Sequence, residues 1–443
     1  MVSLKLVWAT CICGVLFILT LNSRWQKDFF TYSTIRSSSM DLDEKFITYM
    51  PHSGLHNQRI ALINAMVLAK QLNRTLLMPE VNVGKANYWR DSKRLELQLS
   101  RCTRGKQTTQ PKDTAPVACG SYRRYVPTTV SSIFDLSSLQ NLGIRVTQRL
   151  HMGLDYFEHY FGTQPSDMLY IRDQSRFSYR IYDSRSNTDD MQGYEQRIDL
   201  EDLKNRQERF MVFGSLFSSY RLALEQPEWV WLWEYLFSEI SFHHPTVLQQ
   251  TLDIVGRLGG PGQFVSLHLR QGDGVFRAVM DQTVQNVREA LAQPEGGSTP
   301  DDGQQPPVTS GQSASFLLDI DAPSERLTEC LQLQATSDLS PHLKLIYMAT
   351  DAPDPRRTLH YLYAEFPCLF SLSDFPDVIT NTLSATALSP FTEDQLPSRL
   401  GPLLFPLIDA EVASHGSHFV GTRKSTFSKY IMYRNRRFHA YYS

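Results

Sequence analysis

The segment FITYMPHSGLHNQRIALINAMVLAKQLNRTLLM, Phe46 to Met78, decides the fold. Phe46 to Met50 is rich in aromatic and β-branched residues and runs into the turn-forming His52-Ser53-Gly54, which predicts a strand. From Asn57 to Leu72 the apolar residues recur at helical spacing, and Thr75 to Met78 predicts a second strand. Strand, Gly-containing turn, helix and strand make a βαβ unit, the building block of a parallel sheet.

The same alternation returns later in the chain. Phe210 to Gly214 reads as a strand ending in small residues, and Pro227 to Ile240 as an aromatic-rich helix. Then come a helix at Thr246 to Leu258, strands at Phe264 to Arg270 and Leu343 to Thr350, a helix from Pro355 to Phe366, and strands at Cys368 to Ser371 and His418 to Gly421. A last helix follows near the C-terminus. The stretch from Tyr88 to Asp202 is polar and irregular, so loops and insertions are expected there. Residues 294–315 are rich in Gly, Pro, Ser and Gln, the composition of a flexible surface insertion. Strands alternating with helices through both halves predict an α/β protein with parallel sheets covered on both faces. A chain of 443 residues suits two domains, here 46–245 and 246–443, each Rossmann-like.

Ahead of these lies an apolar run, Leu6 to Leu21, with Lys5 before it and Arg24 and Lys27 after it. Residues 1–24 read as an uncleaved signal anchor, because no A-x-A-like site follows, and 25–45 as a stem; the h-region of a cleaved signal peptide is the other reading. Outside the run stand Cys102, Cys119, Cys330 and Cys368, an even number suited to an oxidising lumen. Cys102 with Cys119 would close a polar loop and Cys330 with Cys368 would brace the second half, although other pairings and free thiols remain open. A net charge of -2 argues against a general nucleic-acid binder, which needs a Lys/Arg excess to neutralise phosphates. No P-loop pattern is present, which speaks against a kinase or sulfotransferase of that type.

Four places carry candidate chemistry. In SLHLRQGDGVF, Ser266 to Phe276, a strand delivers His268 and Arg270 to its C-terminal end and Gln271-Gly272-Asp273-Gly274 turns beyond it. Open parallel sheets bind ligands at that edge, where a guanidinium can fork onto a diphosphate; a structural Arg–Asp pair is the plain alternative. In HFVGTRKSTFSKYIMYR, His418 to Arg434, Ser425 and Thr426 stand where helix caps belong, and the helix end offers amides to an anion. Asp351 follows the strand LKLIYMAT, placed to meet a ribose or base or merely to cap a helix. The loop His52 to Arg59 would face the other half across a cleft. Trp229, Trp231 and Trp233 read as a core or domain-contact stripe. Asp41-Leu42-Asp43 lies in the stem and Asp319-Ile320-Asp321 follows the insertion, so neither D-x-D suits a metal, and His415 with His418 lacks further ligands nearby.

At these four places the sequence resembles the GDP-fucose protein O-fucosyltransferase superfamily. The resemblance touches His52 to Val81, Phe264 to Phe276, Leu343 to Asp354 and Asp409 to Arg434, in family order. It implies a GT-B fold, two Rossmann-like domains facing across a cleft, with GDP-fucose between them and inversion at the anomeric carbon. It further implies that Arg270 holds the β-phosphate and the glycosidic oxygen, with His268 beside the donor. Ser425, Thr426 and Phe427 would bind the phosphates and pack on the nucleotide or sugar, and Asp273 belongs to the same donor-binding motif. Asp351 would contact the guanosine, and Gly54 and Asn57 would lie next to the fucose. No metal or other cofactor is expected, since Arg and helix amides take its place. Some family members carry a Glu in the first motif that deprotonates the acceptor; this chain offers His52, Ser53, His56 and Asn57 there, so His52 or His56 could serve and the base is open. The expectation is a single-pass type II fucosyltransferase of the Golgi or endoplasmic reticulum membrane, with a luminal catalytic part and a protein or glycan acceptor. A donor other than GDP-fucose, or a non-catalytic luminal binding protein of the same fold, are the alternatives.

Overall fold

Side chains alternate across a strand, so a strand buried on both faces needs apolar residues at every position. Phe46–Tyr49 (β1) comes close to that demand, its one polar residue Thr48 being buried and bonded to the Leu77 carbonyl, and it belongs to one of two parallel sheets in the computed structural model. It describes residues 43–102 apart from 85 and 87, 126–292 apart from 150, 273–275 and 277, then 314–335, 340–384 and 400–442. The first sheet adds Thr75–Met78 (β2), Val146–Gln148 (β3), Met168–Ile171 (β4) and Phe210–Phe213 (β5), in the order β3-β2-β1-β5-β4. The second holds Val265–Leu269 (β6), Ile346–Thr350 (β7), Leu369–Ser371 (β8) and His418–Val420 (β9), in the order β8-β7-β6-β9. Every pairing within the two is parallel. In each, the order reverses beside the first strand, and that reversal opens a crevice at the strands' carboxyl ends.

Helices Leu55–Gln71 (α1), Pro227–Glu239 (α2), Pro245–Arg257 (α3), Gly401–Ser414 (α4) and Thr426–Tyr442 (α5) supply the layer that both sheets share. One apolar cluster runs from Ile47, Tyr49, Met211 and Phe213 on the first sheet, through α1 and α4, to Tyr347, Ala349 and Phe370 on the second. The opposite faces have clusters of their own. Phe46, Phe210 and Val212 pack against Leu95, Leu99 and Phe157, while Val265, Leu267 and Met348 pack against Val284, Val287 and Leu362. Because the central cluster is continuous, the described residues from Lys45 onward form one compact unit. Cys330 and Cys368 form a disulfide between helix Pro323–Gln334 and the chain entering β8.

The irregular region from Tyr88 to Asp202 holds more regular structure than its composition suggests. It contributes β3 and β4, helix Ser92–Cys102, and two strands, Tyr179–Tyr182 and Gln196–Asp199, of a small parallel sheet completed by Leu222–Ala223. β3 and β4 are edge strands and only half buried; β3 carries Thr147 and Gln148, and β4, although apolar, is four residues long between polar segments, so neither gives a clear signal. The helix expected from Pro355 to Phe366 is two short helices, Pro355–Thr358 and His360–Glu365. α4 is buried on nearly every side, which removes the periodicity that would have betrayed it. The apolar run Leu6 to Leu21, Cys102 with Cys119, and the insertion up to residue 313 lie outside what the structure describes at side-chain level. Among the described residues no helix is long and apolar enough to cross a membrane.

α5 fastens the second half to the first. Its Tyr430 hydroxyl bonds Glu411 of α4 and stands 3.2 Å from the Phe242 amide. The Tyr430 ring also lies 4.7 Å from the guanidinium of Arg59, which donates to the Ile240 carbonyl at 2.6 Å and to that of Phe237. Further along, Arg434 donates to the Ser238 carbonyl at 2.9 Å and Arg437 pairs with Glu239. Arg59→Ala strands two buried carbonyls and leaves a cavity between two rings, and should cost about 3–5 kcal/mol of stability. Urea unfolding checks this, and a loss below about 1 kcal/mol would contradict it.

Candidate active site

β6 brings Ser266, His268 and Arg270 to one row, and Arg270 leaves the strand at the point where the order reverses towards β9. Two bonds tie the strand end to the loop after β9: the Thr422 hydroxyl donates to the His268 carbonyl at 2.8 Å and accepts the Arg270 amide at 3.2 Å. On the other side, Asp351 accepts the amides of Gln271 and Gly272 at 2.7 and 3.0 Å. A side chain at 272 would put its Cβ 2.5 Å from the Asp351 carboxylate, so the turn requires glycine. Asp351 therefore shapes the turn that presents Arg270, and it also borders the cavity there. The Arg270 guanidinium lies 4.4 Å from the Phe276 ring. Asp273, expected in the same motif, lies outside the described residues.

The loop after β9 climbs through Lys424, whose φ of 64° is in the left-handed region, to Ser425 at the tip of α5. The Ser425 hydroxyl accepts the Ser428 amide at 3.3 Å, as a helix cap does. Thr426 opens α5, and the Phe427 ring packs against His268 at 4.5 Å with the two planes tilted by 31°. The first sheet mirrors this plan. Beyond β1, Ser53 has a φ of 70°, Gly54 starts α1 without a side-chain cap, and a Cβ at 54 would meet nothing closer than Ala86 at 4.0 Å. Backbone strain of this kind gathers where ligands are gripped. The two helix tips meet: His56 of α1 lies 4.8 Å from Phe427 of α5. Neither helix has an acidic residue in its first turn, so both positive dipole ends are left for an anion.

A cavity of about 430 Å³ opens beside the α5 tip, lined by His268, Arg270, Thr350, Asp351, Asp409 and Phe427 among other residues of the second half. Its size suits a nucleotide. Asp409, which motif reading left without a role, is buried on α4 and accepts the Tyr347 hydroxyl at 2.6 Å, and burial lifts its carboxyl to about 7. The signal for it was an Asp and a Glu, Asp409 and Glu411, inside an otherwise apolar run. Asn57 lies in the first turn of α1 with its Oδ1 buried and without a hydrogen bond among the described residues. Of the tryptophans, Trp229 and Trp233 pack on the core and Trp233 donates to Asn64 at 2.8 Å. Trp231 instead is 55% exposed and stacks on Tyr235.

The three histidines of the site are neutral. Burial, then Arg221 and Arg176, pushes His52 down to about 3; burial, then Arg59, His268 and Arg270, does the same to His56. Burial and Arg270 take His268 to about 3. His52 is held at both nitrogens, by Ser53 at 2.8 Å and Ser215 at 2.7 Å, and His268 contacts the Ser428 hydroxyl at 2.6 Å.

Residues 131–439, well over half of the chain, match the family model for GDP-fucose protein O-fucosyltransferase. The chain belongs to this family. The matched range contains Arg270, Asp351, Asp409 and the α5 tip, while the loop His52 to Asn57 precedes it. No curated relative matches the chain. Among solved structures it is similar to POFUT1 in complex with GDP, at 11% identity over 89% of this chain and 95% of that one, with a TM-score of 0.40. It is similar also to POFUT1 in complex with GDP-fucose, at 11% identity over 89% and 95%, with a TM-score of 0.39. Fucosyltransferase NodZ from Bradyrhizobium shares 11% identity over 88% and 93%, with a TM-score of 0.37.

The folded values of His52, His56 and His268 lie below the unfolded value of ~6.5. Each therefore contributes stability that is present above that pH and is lost as the pH falls towards 3. NMR of ring-labelled histidine should find all three imidazoles neutral from about pH 8 to about pH 5. A midpoint near the ordinary value for any of them would contradict this burial.

Proposed function

We propose that the chain is an inverting fucosyltransferase that moves fucose from GDP-fucose to a hydroxyl of a protein or glycan acceptor. The observation that carries the reading is a nucleotide-sized cavity lined by Arg270 and by Phe427 of the α5 tip, with His56 of the α1 tip packed against that same Phe427. The diphosphate would lie at Arg270, against the amides and hydroxyls of Ser425 and Thr426, with the nucleoside in the cavity. There Asp409 is a buried acceptor for the two N–H groups on guanine's pairing edge, and Asp351 borders the nucleoside. Fucose would then lie towards Gly54 and Asn57, where the absence of a side chain at 54 leaves room. As the acceptor oxygen bonds to the anomeric carbon, the bond to the β-phosphate oxygen breaks and its electron pair stays with GDP. Arg270 and the helix ends meet that charge as it grows, which is the largest single contribution such a site can make. Among the described residues no cluster of His, Cys, Asp and Glu could hold a metal ion.

The apolar run at the N-terminus and the Cys330–Cys368 disulfide support a type II membrane protein with its folded part in the Golgi or endoplasmic reticulum lumen. The second reading, a luminal protein that binds the donor without transfer, is favoured by the lack of any carboxylate between Pro51 and Gln58. Release of GDP from GDP-fucose separates the two.

Arg270→Ala should lower GDP release on the order of 10²–10³-fold with the thermal midpoint unchanged. Undiminished release by that variant would remove Arg270 from the reaction. Asp409→Asn should weaken GDP binding on the order of 10–100-fold and UDP binding little, measured by calorimetry. Equal loss for both nucleotides would place the base elsewhere.

A further inference from the structure

Resting on the fucosyltransferase reading, we propose that His56 takes the proton from the acceptor hydroxyl as the sugar is transferred. The loop that meets the donor from the first half contains no Asp or Glu, so its imidazoles are the bases it offers. His52 has both nitrogens committed to serine hydroxyls. His268 is 4% exposed, bonded to Ser428 and covered by Phe427. His56 differs from both. Neither of its nitrogens has a hydrogen bond among the described residues, and Nδ1 is buried with no partner.

Its ring is held in place by packing instead. Phe427 lies 4.8 Å away, Tyr430 5.3 Å and Phe242 5.5 Å, all as edge contacts, so two rings of α5 and one from the chain after α2 fix one orientation. The charged groups facing it are Arg59 from α1 and Arg270 just beyond β6, the titratable His268 of β6 beside them is neutral, and Tyr430 of α5 brings in Glu411 of α4 through its hydroxyl. In the free protein those cations oppose protonation, which keeps the ring neutral and able to accept. A bound diphosphate cancels the effect of Arg270, and the charge it gains as the sugar departs favours an imidazolium beside it. The new bond joins the acceptor oxygen to the anomeric carbon, the old one leaves its pair on the β-phosphate oxygen, and the hydroxyl proton passes to His56 and then to solvent. Basicity is thus supplied by the donor itself, and the donor should bind first.

The test uses GDP-fucose with water as acceptor, and two variants. His56→Phe keeps the ring packing without nitrogens, and His56→Ala opens a gap between three rings that imidazole can enter. GDP release should fall on the order of 100-fold in both, with GDP affinity within about 3-fold of the parent. Added imidazole should restore His56→Ala and leave His56→Phe unchanged. Release within about 3-fold of the parent in either variant would overturn the proposal, as would a loss in His56→Ala that imidazole does not relieve. If the parent protein itself releases no GDP, the fucosyltransferase reading falls and this proposal with it; if the parent is active and the variants match it, only His56 falls.

Discussion

The seating of α5 is the constraint on which the rest depends. Its first turn carries Ser425 as cap and Phe427 between His268 and His56. One turn on, Tyr430 joins Glu411, the Phe242 amide and the Arg59 ring stack in one buried group. Arg434 and Arg437 then fasten the helix to the end of α2. A single helix thereby aligns the crevices of two sheets that belong to opposite ends of the chain. It does so together with the shared apolar cluster and with the Phe242 amide, which also donates to Glu411 of α4.

Charge is arranged to match. Arg270 and two helix tips without acidic first turns point one sign of potential at one place, while the carboxylates nearby are engaged in holding structure. Asp351 spends its oxygens on the turn amides and Glu411 on Tyr430 and Phe242. The protein as a whole carries a net charge of -2, so the positive potential of this crevice is a local feature. The three neutral histidines fit the same logic, since burial beside arginines makes a second cation costly.

Much of this was legible in the sequence, for reasons that differ by element. β1, α1, β2, β5 and β6 are buried on both sides, so their apolar runs are dense and end at small or turn-forming residues. β3, β4 and the small sheet escaped because strands of two to four residues, set among polar segments, are too short to establish a period. Arg270 and Ser425 were visible as motifs because each sits beside a glycine-bearing turn. The buried cluster of Arg59, Tyr430 and Glu411 was not, because its members are far apart in sequence and each alone resembles an ordinary surface residue. The distinction between His52 and His56 depends on Ser215, which no local pattern links to either.

A crystal structure of the protein with GDP tests the central claim most directly. The account expects the β-phosphate within hydrogen-bonding reach of the Arg270 guanidinium and the Ser425 and Thr426 groups, with guanine against Asp409. A diphosphate bound anywhere else, or one that leaves Arg270 and the α5 tip in solvent, would contradict it.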